Sequence, residues 1–338
     1  MKRVIFSLLI PALLFTLPAG AGEIPSLDEQ LKNHLHRDYF SVNLLLQSGA
    51  RFSFHDDNFQ GGRTFEAANA RISIRGNLDG GFYYRVLYNA VSEPGLLDAF
   101  AGYRFSDALS LTFGAMKPDQ TLDFLPDPGS TDFVDRTRMT GLLVGSREIG
   151  ASARGDIGNL YYYAGIYNGN RLNNNNNNRF YGLGRLQYTF EDILPGTIKV
   201  AVSGSHGDSQ GTRTGSRGPF LRGRRSIAGG DLRIESNGLL FAAEYLRGAL
   251  ETINLPDVKE VISGYYFTGG YGINPNLMIL GRWQSWSFRE AGTTENQVTL
   301  GANINSTGFV SFQANIDAYL PGNGGSMYGA SLVFQIKF

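Results

Sequence analysis

The last twelve residues of the chain, 327–338, read MYGASLVFQIKF and alternate between two kinds of side chain. Leu332 and Phe334 fall on one face of an extended chain, whereas Ser331 and Gln335 fall on the other. Successive side chains of a β-strand point to opposite faces of the sheet. The segment is therefore predicted to be a strand with one apolar face and one polar face.

The same alternation recurs along the rest of the chain, and a polar face accompanies the apolar one throughout. A soluble sandwich does not explain this pattern, but a closed barrel with lipid outside and water inside satisfies both faces. We predict an all-β fold, a transmembrane antiparallel up-and-down barrel of about 16 strands over residues 40–338. The predicted strands are 40–54, 64–77, 81–91, 97–105, 109–116, 148–157, 160–168, 179–190, 198–206, 225–236, 239–250, 259–273, 277–288, 296–304, 310–319 and 326–338.

The connections between these segments alternate in length, which is typical of barrels with short periplasmic turns and longer external loops. Tight turns are predicted at Asp79-Gly80 and Asn237-Gly238. Long polar loops are predicted over 117–147 and 207–224, and the first of these is the longest.

The beginning of the chain predicts export. Lys2 and Arg3 precede an apolar run that is too short for a spanning helix, and the small residues of 19–21 follow it. We predict a signal peptide over 1–21, with an uncleaved anchor as the alternative, and a location in the bacterial outer membrane. Its lipid and lipopolysaccharide would then surround the barrel.

Residues 22–39 are predicted to form an N-terminal periplasmic segment. Ser26 and Glu29 have the spacing of a capping box, and Leu27 and Leu31 follow on one helical face. A short helix and a disordered leader are the two alternatives for this segment.

The composition excludes several classes of function. There are no cysteines, so neither disulfides nor thiolate metal sites exist. The 30 basic and 30 acidic residues balance, which gives no reason to expect a nucleic-acid partner. Only six of the cations are lysines, so arginine carries most of the positive charge.

Two stretches resemble the phosphate-selective porin O and P family. The sequence FGAMKP over 113–118 is similar to the step that precedes the third loop in that family. REIG over 147–150 and YAGIYNG over 163–169 resemble the segments that follow that loop. The resemblance implies a homotrimeric 16-stranded porin for passive diffusion of small solutes, with the third loop folded into the lumen and a preference for anions.

Arginines fall repeatedly on the polar face of the predicted strands, and rings of arginine in a pore favour anions. About half of them are expected to pair with carboxylates and fasten the third loop, and the rest to line the channel. The inward arginines by parity are Arg51, Arg71, Arg75, Arg85, Arg104, Arg154, Arg185, Arg225, Arg233 and Arg282, alongside Asp231, Glu235, Glu244 and Asp317.

The third loop is mixed in charge and slightly acidic, so a positive wall facing an acidic loop edge is expected. Phosphate is then one candidate among small anions. The predicted pore-lining and constriction residues are Arg71, Arg75, Arg85, Arg104, Lys117, Asp119, Asp123, Arg136, Arg138 and Arg147.

Two other kinds of site were weighed and are not expected. Asp119, Asp123 and Asp127 have a spacing that could hold Ca²⁺, but Pro126 and Pro128 interrupt any regular loop. We therefore expect no metal and no cofactor.

A catalytic centre would require a histidine close to its partner. Ser205 and His206 are adjacent on a predicted strand and point to opposite faces. The chain is expected not to be an enzyme. A structural or adhesive barrel with a closed lumen and partner-binding loops is the alternative function.

Overall fold

The computed structural model describes residues 35–37, 39–55, 59–145, 147–191, 193, 195–255 and 258–338. The predicted signal peptide over 1–21 lies outside the described residues, as do Ser26, Leu27, Glu29 and Leu31 of the possible N-terminal helix. Across the described ranges no helix is long and apolar enough to cross a membrane.

Within the described residues, sixteen long strands follow a two-residue strand, β1 (His36–Arg37). The long strands are β2 (Phe40–Ser53), β3 (Arg63–Asn77), β4 (Phe82–Asn89), β5 (Leu96–Ser106), β6 (Leu109–Met116), β7 (Glu148–Ile157), β8 (Leu160–Tyr167), β9 (Tyr181–Phe190), β10 (Gly196–Arg213), β11 (Phe220–Ser236), β12 (Leu239–Thr252), β13 (Glu260–Asn274), β14 (Leu277–Phe288), β15 (Thr293–Asn305), β16 (Val310–Leu320) and β17 (Met327–Lys337).

The sheet closes on itself. Each strand from β2 to β16 pairs antiparallel with the next, and β17 pairs with β2. The backbones of Leu44 and Phe338 exchange two hydrogen bonds at the seam, with N···O distances of 2.8 and 3.1 Å. Closure leaves no strand edge without a partner, which a chain in lipid requires because no water is available there. The strand β1 pairs only with the start of β2 among the described residues.

The two faces of the barrel differ as the alternation predicts. On β16, Ile316 is 58% exposed, whereas the next residue, Asp317, is 2% exposed. On β17, Leu332 is 48% exposed, whereas Ser331 is 4% exposed. The apolar side chains therefore face outward, and the polar side chains face the interior.

The short turns have the backbone that their sequences require. Asn237 and Gly238 both adopt positive φ, 49° and 79°, between β11 and β12. A two-residue hairpin turn with both φ values positive matches the twist of the flanking strands and favours Asn-Gly.

One predicted boundary is wrong. The predicted external loop over 207–224 is mostly strand, since β10 continues to Arg213 and β11 begins at Phe220. The strands here are rich in polar and glycine residues on both faces, so the apolar alternation that marks a strand disappears although the pairing continues.

The third loop, residues 117–147, joins β6 to β7 and crosses the interior of the barrel. It contains a 3-10 turn (Pro128–Ser130) and one helix, α1 (Arg138–Leu143). Thr137 caps this helix by accepting a hydrogen bond from the backbone N–H of Thr140. Two further 3-10 turns, Phe59–Gly61 and Asp79–Gly81, lie in connections outside the third loop.

Candidate functional site: the third loop and the arginine row

Ion pairs tie the third loop to two opposite parts of the wall. Asp135 accepts two hydrogen bonds from the guanidinium of Arg51 on β2, at 2.6 and 3.0 Å. Asp132 accepts two from Arg233 on β11, at 2.8 and 3.2 Å. Paired contacts between arginine and carboxylate are among the stronger and more directional ones in proteins. They hold the loop across the lumen.

Amide side chains of the wall bind the backbone carbonyls of the loop. Gln313 donates to Thr131 O at 2.6 Å, and Asn303 donates to Asp132 O at 2.9 Å. These carbonyls lie outside any strand or helix, so the wall amides supply the hydrogen-bond donors that regular secondary structure would provide.

An inward-facing apolar patch holds the helix of the loop. Met139, Leu142 and Leu143 of α1 pack in a buried cluster with wall residues that include Leu250 and Trp286. Leu143 and Leu250 are fully buried. This patch was not predicted, because the interior of a channel barrel was expected to be polar along its whole length.

The inward arginines divide into two groups of five among the described residues. One group fastens wall and loop. Arg51 and Arg233 bind the loop carboxylates, Arg185 pairs with Asp231, and Arg225 pairs with Glu148. The fifth, Arg282, donates to the carbonyl of Asp135 at 3.1 Å.

The second group, here called the arginine row, comprises Arg71, Arg75, Arg85, Arg104 and Arg154 on β3, β4, β5 and β7. Each of them lines one or both of two cavities of about 640 and 660 Å³ beside the third loop. Of these five, Arg85 alone forms ion pairs with other described residues, namely Asp98 and Asp127.

The two cavities meet at Arg75, Arg85 and Asp127, which line both of them. Arg75 and Arg85 lie directly opposite each other in the register of β3 and β4. A third cavity, of about 470 Å³, is lined by Arg136 and Arg147. Arginines therefore line all three cavities beside the third loop.

Asp127 is one of two loop carboxylates that face the arginine row, and Asp119 is the other. Its Oδ2 lies 3.5 Å from Arg85 Nη2, and its Oδ1 lies 4.0 Å from Lys117 Nζ. Burial alone would raise the pKa of Asp127, but Lys117, Arg85, Arg147 and Arg71 hold it below its usual value. Asp127 is therefore ionised and compensates part of the positive charge.

Lys117 begins the third loop. Its ammonium group donates to the carbonyls of Leu125 and Pro126, both at 2.9 Å, and lies 4.7 Å from the centre of the Phe124 ring. Burial, followed by repulsion from Arg136, lowers the pKa of Lys117 to about 7.

The other residues that were predicted to line the pore have separate partners. Arg147 donates to Asp98 at 2.9 Å, and Asp119 accepts a hydrogen bond from the Tyr161 hydroxyl. Arg136 lines the third cavity and donates to the carbonyls of Asp123 and Pro126.

Asp123 forms hydrogen bonds within the loop, and Arg138 contacts the wall. The carboxylate of Asp123 accepts from the N–H and hydroxyl of Thr137, at 2.9 and 3.1 Å, and so closes a turn of the loop. Arg138 lies over the Trp286 ring at 5.8 Å and is absent from the linings of the three cavities.

Only part of the expected acidic edge of the loop faces the arginine row, since Asp119 and Asp127 line its cavities. Asp132 and Asp135 point away from the arginine row and bind the fastening arginines, and Asp123 is bound by Thr137. The face towards the row therefore combines Asp119 and Asp127 with Lys117. Sequence spacing gave no sign of this, because the directions of the loop side chains depend on partners from distant strands.

Sequence reasoning placed Glu244 inside the barrel by parity but missed Asp98. Asp98 is 1% exposed and lies beside Arg85 and Arg147. Its position on β5 has the same parity as Arg104, which is a signal that the alternation contained. Glu244 accepts hydrogen bonds from the backbone N–H groups of Leu122 and Asp123, at 3.1 and 3.3 Å, and supports the loop from β12.

The sequence model of the phosphate-selective porin O and P family matches residues 40–303, most of the barrel. The chain belongs to that family. This porin matches no curated protein sequence.

Solved structures show the same fold at low identity. An anion-selective porin from Comamonas acidovorans superposes with a TM-score of 0.67 at 11% identity, covering 88% of this chain and 99% of that one. OmpT of Vibrio cholerae, in its in-vitro folded trimer form, gives a TM-score of 0.63 at 11% identity and covers 89% and 100%. OmpF of Salmonella typhi in complex with daunomycin gives 0.64 at 12%, covering 88% and 97%. The predicted barrel of sixteen strands is confirmed, and the protein is an outer-membrane-type porin channel.

Among the described residues of this porin, no group of three or more histidine or acidic side chains is arranged to hold a metal ion. Of the carboxylates considered for Ca²⁺, Asp119 binds Tyr161 and Asp123 binds Thr137, whereas Asp127 lies beside Arg85 and Lys117.

Proposed function

We propose that this porin passes small anions by passive diffusion. The observation that carries the proposal is the arginine row, which faces two open cavities while the loop carboxylates Asp132 and Asp135 are bound elsewhere. Arginine stays charged at all physiological pH values, and its delocalised charge attracts anions at close range. Phosphate belongs to this class, but the carboxylates Asp98 and Asp127 in the lining of the cavity favour a broader range of small anions over a phosphate filter.

Reversal potentials test this function. The purified protein is inserted into planar bilayers that separate two KCl concentrations. A potential of the sign set by chloride movement supports the proposal, and one set by potassium movement contradicts it.

The cavities also favour an open channel over the adhesive alternative with a closed lumen. Single-channel recording separates the two functions. Stepwise conductance increases are expected on insertion, whereas an adhesive barrel would give none.

A catalytic function is not proposed. His206, the histidine considered for a hydrolase, lies on the exposed face of β10 and is 2.7 Å from the Ser226 hydroxyl. Ser205 faces the interior and is 3.4 Å from the amide nitrogen of Gln120. The two side chains therefore lie on opposite faces of the barrel wall and do not form a serine–histidine pair.

The outer membrane is the proposed location, with residues 1–21 as a cleaved signal peptide and residues 22–39 in the periplasm. The exposed apolar side chains of the barrel fit contact with membrane lipid, and lipopolysaccharide would be a neighbour on the outer side. N-terminal sequencing of the protein from outer-membrane fractions tests the cleavage after Ala21.

A homotrimer is the proposed assembly. A surface cavity of about 600 Å³ crosses β2, β3, β16 and β17, and its floor includes the small residues Ala50, Ala314 and Ala330. Phe65 at its edge is 91% exposed. We propose that a second copy covers this surface. Mass measurement of wild type and Phe65→Asp in detergent tests it, because the variant should be mainly monomeric.

A further inference from the structure

We propose that the cavity of about 640 Å³ binds organic carboxylates with an aromatic ring, so that the channel favours them over carboxylates without one. The inference rests on the proposed anion channel and specifies its substrate class. Two features of one cavity carry it, an aromatic platform and the guanidinium groups around it.

The aromatic platform consists of Tyr83 and Phe100, which both line the cavity. Their ring centres are 6.4 Å apart and the rings meet at 80°, the edge-to-face arrangement. The Tyr83 hydroxyl donates to Leu111 O at 3.1 Å and lies 2.7 Å from the Thr112 hydroxyl, which fixes the ring against the wall.

Glycine makes room for this platform. Gly102 faces inward on β5, between Phe100 and Arg104, where a side chain would ordinarily project into the lumen. A Cβ atom there would lie 2.3 Å from Cζ of Tyr83 and 2.6 Å from the carbonyl oxygen of Leu111. The absence of a side chain therefore lets the Tyr83 ring lie over the strand.

Guanidinium groups frame the platform. Arg85 lies directly opposite Phe100 in the register of β4 and β5, and Arg75 lies directly opposite Arg85. Side chains opposite each other in an antiparallel pair have Cβ atoms about 5 Å apart. Arg104 follows on the same face as Phe100, two residues beyond Gly102. A ring against the platform would thus place a carboxylate within reach of these arginines, which can bind it through two hydrogen bonds.

The net positive charge of the cavity lining favours an anionic ligand. Its lining contains six cationic side chains and three carboxylates. The charge of Asp98 is compensated by Arg147, which lies outside this lining, whereas Asp119 accepts a hydrogen bond from the neutral Tyr161 hydroxyl and keeps its charge. Six cationic side chains therefore face two uncompensated carboxylates. An aromatic cation would be repelled and a neutral ring would leave the arginines unused. Chloride or phosphate would gain nothing from the aromatic platform.

Block of the chloride current tests the inference in the full-length protein. Benzoate and acetate are added in turn, and the concentration that halves the chloride current is measured for each. We expect the value for benzoate to be lower by about five-fold, the range of an aromatic pair contact. Cyclohexanecarboxylate, which is as bulky but not aromatic, should fall between the two.

Variants assign the effect to the platform. Phe100→Leu should reduce the ratio of the half-blocking concentrations of acetate and benzoate by about five-fold. Tyr83→Leu should have the same effect, and the two variants are used together in case one of them does not fold. The matched control is Phe113→Leu, at a residue on the neighbouring strand that is 61% exposed on the outer face.

The outcomes separate this inference from the proposed function. Equal block by benzoate and acetate in the wild type, or an unchanged difference in both platform variants, would overturn the inference while anion preference stands. A cation-selective channel would instead overturn the proposed function.

Discussion

Arg51 Nη1 lies 2.6 Å from Asp135 Oδ2, and this contact joins the first long strand of the barrel to the middle of the third loop. Burial alone would raise the pKa of Asp135, but the hydrogen bonds and charge of Arg51 hold it below its usual value. Arg51 also contacts Glu66 at 2.9 Å. This pairing fastens the middle of the loop to β2.

Replacement of Asp135 by Asn should loosen the loop. The variant keeps a hydrogen-bonding group but loses the charge that holds Arg51, so the loop should fluctuate and the open-channel current should become noisier. Single-channel recording measures this. Glu235→Asn is the control, because Glu235 contacts Arg233 beside the loop without binding the loop itself. A quiet current in the Asp135 variant would contradict a fastening role.

The buried pair of Arg185 and Asp231 should contribute to the stability of the barrel. Their side chains are 0% and 2% exposed and are joined at 2.6 Å. Asp231→Asn leaves the arginine charge buried without its partner, and the free energy of unfolding should fall by about 3 kcal/mol. Urea titration in detergent micelles measures it, and a change below about 1 kcal/mol would show that the arginine finds another partner.

Leu143 should anchor the loop through the apolar patch. It is fully buried, and Leu143→Ala should lower the free energy of unfolding by about 3 kcal/mol, because a cavity remains. Leu186→Ala is the control, at a residue that is 50% exposed on the outer face. Equal losses in the two variants would mean that the patch does not hold the loop.

Lys117 should make the ion selectivity depend on pH. Because burial and Arg136 lower its pKa to about 7, the ammonium charge is present below that pH and is lost as the pH rises through it. Anion preference should therefore decrease with rising pH around neutrality. Reversal potentials measured across this range provide the test.

Lys117→Met provides the control for that titration. It removes the charge and retains the length of the side chain, so the pH dependence due to Lys117 should disappear. His36 lines the same cavity and is unchanged in the variant. An identical pH profile in wild type and variant would assign the titration to another group.

Much of the fold follows from local pattern, and the site follows only in part. A period of two identifies a strand such as 310–319 from its own residues, and the same parity places Arg75 and Arg85 inside. Whether an inward arginine lines the channel or fastens the loop depends on which carboxylate reaches it. Asp135 is 84 residues from Arg51, so their pairing requires the closed barrel.

The inward apolar patch was missed for a related reason. Leu250 and Trp286 have the parity of interior residues. Leu240 and Leu246 share the inward face of β12, so the alternation contained the signal, but a polar lumen was expected. Leu250 and Trp286 become a binding surface only where β12 and β14 lie near α1. The strand ends at Arg213 and Phe220 were missed because their sequences lack the apolar face that marks a strand in lipid.

The central claim is that the arginine row gives the channel its preference for anions. The most direct test compares reversal potentials of wild type, of a variant with Arg71, Arg75, Arg104 and Arg154 replaced by Gln, and of Arg233→Gln. In the fourfold variant the ratio of anion to cation permeability should fall roughly ten-fold. A cluster of like charges in a cleft concentrates the opposite ion to that extent. Arg233→Gln, which removes a fastening arginine, should retain it. An unchanged preference in the fourfold variant that folds and conducts would contradict the account.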